Sequence, residues 1–427
     1  MKWRNQLLAI ICLVVFAALG VVYFQHWVIQ KPFGIILFIG EGLAPERLAA
    51  TRAYLGGADS RLTLDSMDHV ALIRNYSRDF AVSDPAAAAT AIATGVKVNN
   101  RAIAIDTAGK MLTSIIELAR ESRRATGLVT DAHLTGATCA AFYAHSHNPT
   151  DEDDLALQLV GNGKIDIVLG TSSAEFLPES KGGRRADRRD LLLELRGNGV
   201  DVVRTRAELE AIPAWRRPRL FGAFGESDAS SASQLAQWSD QPSLPDMVRR
   251  AIELLQYNPR GYLLLVDAAL MRNGAENNNA EKTLSETAQL DRAVAVAQRY
   301  AGQKSTIIVC GDTAIGGLNL NGFPFRRDSG IALLGLNPAG QPWMTWATGP
   351  NGMRGYGADR VPNKDNGSQP DNGAKVETEK SEPATFYAKS ALNTVEDVLA
   401  LGTGPGSDAL HGCIDNTDIF KILRNEL

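Results

Sequence analysis

Hydrophobic positions divide the chain into one N-terminal apolar segment and a long region in which short apolar runs alternate with amphipathic stretches. The uncharged segment from Leu7 to Phe24 would span about 27 Å as a helix, close to the thickness of a bilayer core. Lys2 and Arg4 precede it, so the positive-inside rule predicts a cytoplasmic N-terminus and a globular part outside. A cleaved signal peptide, ending near Ala18-Leu19-Gly20, is the alternative interpretation. The weak cleavage site favours an uncleaved anchor.

After the anchor, continuous apolar runs predict buried strands, and apolar spacing of three to four residues predicts helices between them. The predicted strands are Gly34–Gly40, Gly127–Thr130, Ile165–Gly170, Tyr262–Val266 and Thr306–Cys310. The predicted helices cover 111–119 and 244–255. This alternation predicts an α/β fold with a mostly parallel central sheet covered on both faces. The polar stretch from Pro362 to Thr385 predicts an exposed loop.

A third helix is predicted by the alanine-rich stretch Val82–Lys97. Asp84 is a good N-cap, Pro85 suits the first helical position, and Gly95 ends the helix. A helix start of this kind presents backbone N–H groups and a positive dipole end to an anion.

Three carboxylates follow predicted strands directly. Glu41, Asp267 and Asp312 each stand just beyond the carboxyl end of a strand, the edge of a parallel sheet at which functional residues collect. The sequence therefore predicts that the three side chains lie in one cleft.

Composition narrows the functional classes. The 427 residues carry a net charge of −4 without a basic stripe, so nucleic acid is not an expected partner. Four cysteines, one of them in the apolar segment, do not form a disulfide framework, and we expect Cys139, Cys310 and Cys413 to be small buried residues. One bridged pair in an oxidising compartment is the alternative.

Several blocks, in the same order, resemble motifs of the alkaline phosphatase family. The helix stretch resembles the family's nucleophile helix, and the Ile-Ile-Leu-Phe-Ile-Gly-Glu-Gly run resembles its opening strand. Further matches are Asn-Asn-Arg-Ala-Ile-Ala-Ile-Asp at 99–106, Gly-Ala-Thr-Cys-Ala-Ala-Phe-Tyr-Ala-His at 136–145, Glu286-Thr287 with Leu290-Asp291, and His411-Gly412 with Ile414-Asp415-Asn416-Thr417.

The resemblance implies an alkaline-phosphatase-like three-layer sandwich with a central, mostly parallel sheet. We expect two parts: residues 1–33, the membrane anchor (or signal peptide) and tether, and residues 34–427, the alkaline-phosphatase-like domain. Because members of the family commonly form homodimers, the resemblance also implies a homodimer, or a heterodimer with a related phosphatase.

The family's serine nucleophile has no counterpart in this sequence. Its position is Pro85, which has neither a hydroxyl group nor a backbone donor. The position of the family's phosphate-binding arginine is Pro149, unless Arg101 or another arginine substitutes. No catalytic residue is therefore assigned.

The family's zinc ligands are also replaced. The positions of the outer zinc are Arg272, Glu276 and Asn393, and the histidine of the inner zinc is Thr313. Zinc is therefore not expected, and we expect the guanidinium of Arg272 to fill the outer position and pair with carboxylates.

The family's magnesium corner is better kept, although its residues are altered. It corresponds to Glu41, Thr138 and Asp267, and Asp312 remains from the inner zinc site. This all-oxygen set is compatible with one Mg²⁺ or Ca²⁺ ion. The alternative, which the sequence favours, is that Glu41, Asp267 and Asp312 are salt-bridged to Arg272 or hydrogen-bonded into the cleft.

The sequence thus leaves enzymatic activity open and favours an inactive protein. We expect a membrane-anchored pseudophosphatase with a binding or assembly role, facing the periplasm or the cell exterior, or secreted if the anchor is cleaved. The alternative is a divergent metal-dependent phosphomonoester hydrolase. The sequence names neither a physiological role nor a ligand.

Overall fold

The computed structural model describes residues 2–23, 33–161, 165–216, 219–225, 240–302, 304–322, 334–336, 340–353 and 381–427. Within them the dominant element is a ten-stranded sheet. Its strands are β1 (Gly34–Gly40), β2 (His69–Arg74), β3 (Ala125–Thr130), β4 (Ile167–Gly170), β5 (Asp201–Val203), β6 (Leu220–Ala223), β7 (Tyr262–Ala268), β8 (Thr306–Gly311), β15 (Val398–Thr403) and β16 (His411–Asp415).

The spatial order is β16-β2-β15-β8-β1-β7-β3-β4-β6-β5, with β1 in the middle between β7 and β8. Only β15 runs antiparallel to its neighbours among these strands; every other pairing is parallel. The predicted mostly parallel sheet is therefore confirmed. Strands β3, β7 and β8 are one or two residues longer than predicted, whereas β4 begins two residues later than predicted, at Ile167.

Two smaller sheets are formed by segments that follow β8 in the sequence. One contains β10 (Leu318–Leu320), β11 (Met344–Gly349), β12 (Gly352–Met353) and β13 (Ala384–Tyr387). The other pairs β9 (Ala314–Ile315) with β14 (Asn393–Thr394). The second pairing brings a segment near the C-terminus to the carboxyl edge of the large sheet.

The helices are α1 (Lys2–Tyr23), α2 (Pro45–Gly56), α3 (Pro85–Thr94), α4 (Ile115–Glu121), α5 (Ala137–Ala140), α6 (Glu152–Gly161), α7 (Leu191–Gly197), α8 (Arg206–Ala211), α9 (Leu244–Leu255), α10 (Leu270–Glu276), α11 (Ala280–Ala301) and α12 (Asn416–Glu426). Alternate residues of β1 point to opposite faces, so Ile35 joins one buried cluster with α3, α4 and α12 while Ile36 joins another with α9 and α11. This is the expected three-layer arrangement.

Some local predictions were wrong. The helix predicted over 111–119 begins at Ile115, because Ser114 caps it and Glu117 completes a capping box; Met111 lies outside and is exposed. Cys413 is exposed on the edge strand β16, whereas Cys139 and Cys310 are buried as expected, and all three thiols are free. The predicted loop over 362–385 lies outside the described residues up to 380, and its last two residues belong to β13.

The N-terminal helix α1 contains one stretch, Trp3–Gly20, that is long and apolar enough to cross a membrane. None of that stretch is buried against the rest of the described protein. An anchor and a signal sequence both have these properties.

Helix α3 is built as the sequence predicts. The carboxylate of Asp84 accepts hydrogen bonds from the backbone N–H of Ala87 at 2.9 Å and of Arg101 at 2.7 Å. Pro85 is the first helical residue, and Gly95 ends the helix in the left-handed conformation. The cap therefore fixes both the helix start and the loop that follows the helix.

We expect Asp84→Ala to lower the free energy of unfolding by about 1 kcal/mol, the usual cost of losing an N-cap. Asp84→Asn keeps one carbonyl acceptor for the helix and should lose less. Urea unfolding of the detergent-solubilised chain measures both, and equal stability of Asp84→Ala and the parent would contradict the assigned cap.

Candidate functional site

The carboxyl ends of the three central strands form the floor of a cleft. In the sheet register, Gly40 pairs with Ala268 on β7 and with Gly311 on β8. Glu41 and Asp312 are the next residues along their strands, and Asp267 is the penultimate residue of β7. The register therefore brings the three predicted carboxylates together, and all of them are buried.

Asp267 and Glu41 form one corner of the cleft with hydroxyl and thiol groups. The Thr138 hydroxyl donates to Glu41 Oε1 at 2.7 Å. Asp267 Oδ2 accepts from the Thr130 hydroxyl at 3.2 Å and from the Cys139 thiol at 3.3 Å. The second oxygen, Asp267 Oδ1, is buried without a hydrogen-bond partner. An unpaired buried carboxylate oxygen of this kind is costly unless a proton or a cation compensates it.

Asp312 lies on the other side of Glu41. Its Oδ1 accepts a hydrogen bond from the backbone N–H of Gly42 at 2.8 Å. Gly42 has φ of +83°, and a Cβ there would lie 2.3 Å from the guanidinium of Arg47. Only glycine fits this tight turn between β1 and α2, and the turn aims its N–H at Asp312.

Arg272, on helix α10, contacts the side chains at the other three positions that the resemblance assigns to zinc ligands. Its guanidinium donates to Glu276 Oε1 at 2.8 Å, to Asn393 Oδ1 at 2.8 Å and to the Thr313 hydroxyl at 3.4 Å.

The same guanidinium also faces two carboxylates of the cleft floor. Arg272 Nη1 lies 3.6 Å from Asp312 Oδ2 and 3.8 Å from Glu41 Oε2. Its side chain is only 15% exposed, so these contacts are weakly screened by solvent.

The start of helix α3 joins the cleft through Asn393. The amide nitrogen of Asn393 donates to the backbone carbonyl of Ser83 at 3.0 Å. The hydroxyl of Ser83 is buried and donates to the carbonyl of Asp84 at 3.1 Å. Arg101 is exposed near the helix start, where it bonds to Asn148 at 3.4 Å, one residue before Pro149. Pro85 itself offers no hydroxyl at the helix start.

Burial and mutual repulsion shift the pKa values of the acidic residues upward. Burial, with repulsion from Asp267 and Asp312, raises the pKa of Glu41 well above its usual range. Burial and the neighbouring Asp131 raise the pKa of Asp267 to about 8. Burial likewise raises the pKa of Asp131 to about 7, although its carboxylate accepts two backbone N–H bonds at the start of α10. Burial and crowding therefore favour a proton or a nearby cation on these carboxyl groups.

The basic groups respond in the opposite sense. Burial alone would lower the pKa of Arg272, but the carboxylates of Glu41 and Asp312 outweigh it and raise that pKa. Burial lowers the pKa of Arg47 to about 10, while its guanidinium donates to the Glu41 carbonyl at 2.9 Å. Both guanidinium groups remain charged at neutral pH.

The cleft fits the two expected kinds of metal site very differently. At the zinc positions stand a guanidinium, an amide, a hydroxyl and the Glu276 carboxylate, which is bonded to the guanidinium, so these residues do not fit zinc. In the corner, Glu41, Asp267 and Thr138 supply oxygen atoms, and Asp267 Oδ1 is free to coordinate. Mg²⁺ is commonly held by one or two carboxylates and water, so the corner fits one hard cation. Across the described part of the chain, no group of three or more His, Cys, Asp or Glu side chains is arranged to hold a metal ion.

Sequence reasoning missed three contributors to the cleft. Asp131 follows the predicted strand Gly127–Thr130 directly, so the rule that selected Glu41 also selects it. Thr130 and Cys139 carried no such signal, because their contacts with Asp267 depend on how α5 packs beside the sheet.

Comparison with known proteins extends the resemblance. A family model described as "Alkaline phosphatase" matches residues 34–427. The tissue-nonspecific alkaline phosphatase of Gallus gallus is 30% identical over 91% of this chain and 83% of its own length. Alkaline phosphatase 4 of Bacillus subtilis is 27% identical over 91% of this chain and 88% of its own length.

Solved structures share the fold. Thermus thermophilus alkaline phosphatase superposes with a TM-score of 0.72 at 23% identity, covering 93% of this chain and 92% of its own. A variant of the alkaline phosphatase from the Antarctic bacterium TAB5, with Mg bound in the M3 site, gives 0.70 at 21% identity, covering 93% and 98%. Together with the family match over 34–427, this fold shows that the chain belongs to the alkaline phosphatase family.

Proposed function

We propose that this protein is a membrane-anchored pseudophosphatase, a family member that keeps the fold and binds or assembles instead of hydrolysing phosphate esters. The observation that carries the proposal is the position of Arg272, whose guanidinium contacts Glu276, Thr313 and Asn393 at once. The family's chemistry needs metal ions where these four side chains meet.

The missing nucleophile supports the proposal. Nucleophilic catalysis at phosphorus needs an activated hydroxyl at the start of α3, and Pro85 occupies that position. The nearest hydroxyl along the chain, on Ser83, is buried and bonded to the Asp84 carbonyl. No step of covalent transfer can therefore begin at the helix start.

The charge of the cleft supports it as well. The guanidinium of Arg272 neutralises part of the charge of the Glu41, Asp312 and Glu276 side chains, as a metal ion would. However, it has no open coordination position and cannot act as a Lewis acid on water or on a phosphate oxygen. Arg272 thus replaces the structural role of a metal ion without its chemical role.

A divergent metal-dependent phosphomonoester hydrolase is the second candidate, and one observation favours it. Asp267 Oδ1 is buried without a partner beside Glu41 and Thr138, which suits one Mg²⁺ or Ca²⁺ ion. Such an ion would supply Lewis acidity, and Glu41 and Asp267 would hold it. Asp312 would remain hydrogen-bonded to the backbone N–H of Gly42. A retained ion is equally compatible with a purely structural role.

Helix α1 supports placement at a membrane, with the globular part in the periplasm or at the cell exterior.

A dimer is part of the proposal. Exposed apolar side chains of Tyr76, Phe80 and Val395 line an open groove of about 550 Å³ at the rim of the cleft, which suits contact with a second chain.

The direct test is phosphomonoester hydrolysis by the full chain in detergent, with Zn²⁺ and Mg²⁺ supplied. We expect the parent to be no faster than the double variant Asp267→Ala, Asp312→Ala, and Pro85→Ser alone to restore nothing, because the zinc ligands remain missing. Turnover of the parent above the double variant would refute the pseudophosphatase and support the hydrolase. Activity in Pro85→Ser alone would show that the zinc positions still function.

We expect Arg272→Met to lower the free energy of unfolding by about 3 kcal/mol, because it leaves buried carboxylates without their cation. Without Arg272, the folded-state pKa values of Glu41 and Asp312 should rise further above their unfolded values. The loss should therefore be small near pH 5 and grow as pH rises towards 8. Chemical unfolding across this range measures it.

The matched controls for this variant retain one feature each. Arg272→Lys keeps the charge but not the planar donor set and should lose less stability. Combining Arg272→Met with Asp312→Asn should recover part of the loss. A pH-independent effect of Arg272→Met would contradict the assigned ion pairs.

If the corner holds Mg²⁺, the added stability should increase with pH, because Asp267 must lose its proton to coordinate and its pKa is about 8. A tenfold excess over the dissociation constant would add about 1.4 kcal/mol, or about 1–2 °C in Tm. Thermal unfolding with and without Mg²⁺ at pH 6 and pH 9 measures this. Asp267→Asn should abolish the shift and Asp166→Asn, at the opposite edge of the sheet, should not; the same shift in Asp267→Asn would contradict the site.

A further inference from the structure

The tether enters the globular part at the amino edge of the large sheet. The N–H of Phe33 donates to the Lys304 carbonyl at 2.9 Å, and the Phe33 carbonyl accepts from Tyr262 N–H at 3.0 Å and from Arg124 at 3.1 Å. Phe33 is therefore fixed beside the first residues of β7 and β8, and β1 runs away from it towards the cleft.

The distance from this point to a membrane is limited by sequence length. Only residues 24–32 separate the end of α1 at Tyr23 from Phe33, so the two ends lie at most about 36 Å apart. Strand β1 then carries the chain about 23 Å further to the cleft. In an anchored protein the amino edge therefore stays within reach of the bilayer, and the cleft lies at the opposite edge of the sheet.

The surface around Phe33 is rich in basic residues. We call the segments 119–124, 256–261, 299–302, 304–305 and 423–427 the tether face. Arg124 bonds to both Phe33 and the Glu426 carbonyl, which places the first and last of these segments beside the tether. Its acidic side chains in the described residues are Glu121 and Glu426. Its basic side chains are Arg120, Arg123, Arg124, Arg260, Arg299, Lys304 and Arg424.

This charge contrasts with the rest of the molecule. The full chain has a net charge of −4, yet the tether face carries six basic side chains besides the buried Arg124, against Glu121 and Glu426. The acidic side chains next to it are Asp166, which interacts with Arg120, and Asp408, in the turn that contacts Glu426. Arg123, Arg260 and Lys304 are exposed. Tyr257 and Tyr300, which are 43% and 38% exposed, stand on the same face. Exposed basic side chains interspersed with tyrosine suit the headgroup region of an anionic bilayer.

We propose that the tether face lies against anionic phospholipid headgroups, so that the cleft is presented away from the membrane. This inference rests on the proposed membrane anchor and adds an orientation and a lipid preference to it. Arg120, Arg299 and Arg424 also lie in the last turns of α4, α11 and α12, where cations favour the helix dipole. Arg123, Arg260 and Lys304 lie outside these helices, so the test uses them.

The experiment places the full chain in nanodiscs of phosphatidylcholine alone or mixed with phosphatidylglycerol. Cys12→Ser and Cys413→Ser remove the exposed thiols, and a fluorophore is attached through Ser122→Cys on the tether face or Val395→Cys at the cleft rim. A lipid with a quencher on its headgroup reports how close each label is to the bilayer.

We expect the label at position 122 to be quenched more than the label at 395 in both lipids, and about twofold more with phosphatidylglycerol than without it. The triple variant Arg123→Glu, Arg260→Glu, Lys304→Glu should remove the dependence on phosphatidylglycerol. High salt should also remove the dependence on phosphatidylglycerol when the tether face carries no substitution. This second test does not require the triple variant to fold.

The outcomes separate the anchor from the lipid contact. Failure of the chain to enter the nanodiscs would refute the anchor, and the inference with it. Entry with equal quenching at 122 in both lipids, or with stronger quenching at 395, would overturn the lipid contact while the anchor stands. A dependence on phosphatidylglycerol that survives both the triple variant and high salt would show that these basic side chains do not make the contact.

Discussion

The cleft depends on one guanidinium held among carboxylates. Three central strands deliver Glu41, Asp267 and Asp312 to the same edge of the sheet, and the chain cannot avoid this concentration of negative charge. Arg272 reaches in from α10 and lies within 4 Å of Glu41 and Asp312. Burying any one of these charges alone has a high free-energy cost, and pairing them lowers that cost. The fold of this region therefore rests on an internal cation.

This arrangement separates the fold from the chemistry. The capped helix α3, the turn at Gly42 and the strand register are all retained, although nothing at Pro85 can attack phosphorus. Catalysis depends on residues that act together, whereas the packing around the proposed site has its own stabilising contacts. The hydrogen bond from Asn393 to the Ser83 carbonyl is an example, because it joins the replaced metal positions to the start of α3. A surface built in this way can serve binding without turnover.

Sequence reasoning predicted most of the fold because apolar runs and helical spacing act locally. Helix α9 has the predicted bounds, and the carboxylates after β1, β7 and β8 meet as expected from the parallel sheet. Arg272 was expected to pair with carboxylates, and in the structure one of its partners is Glu276, four residues further along the same helix. The contacts of Cys139 and the exposure of Cys413 could not be predicted, because they depend on which element packs beside each thiol. Met111 shows the same limit. Its apolar side chain suggested that the helix includes it, whereas the cap at Ser114 starts the helix at Ile115.

The most direct test of the central claim is a crystal structure of the zinc-soaked protein, with anomalous data at the zinc edge. The account predicts no zinc peak among positions 272, 276, 313 and 393, and a guanidinium of Arg272 within ion-pair distance of Asp312. Two zinc peaks in the cleft, with Arg272 displaced towards solvent, would contradict it.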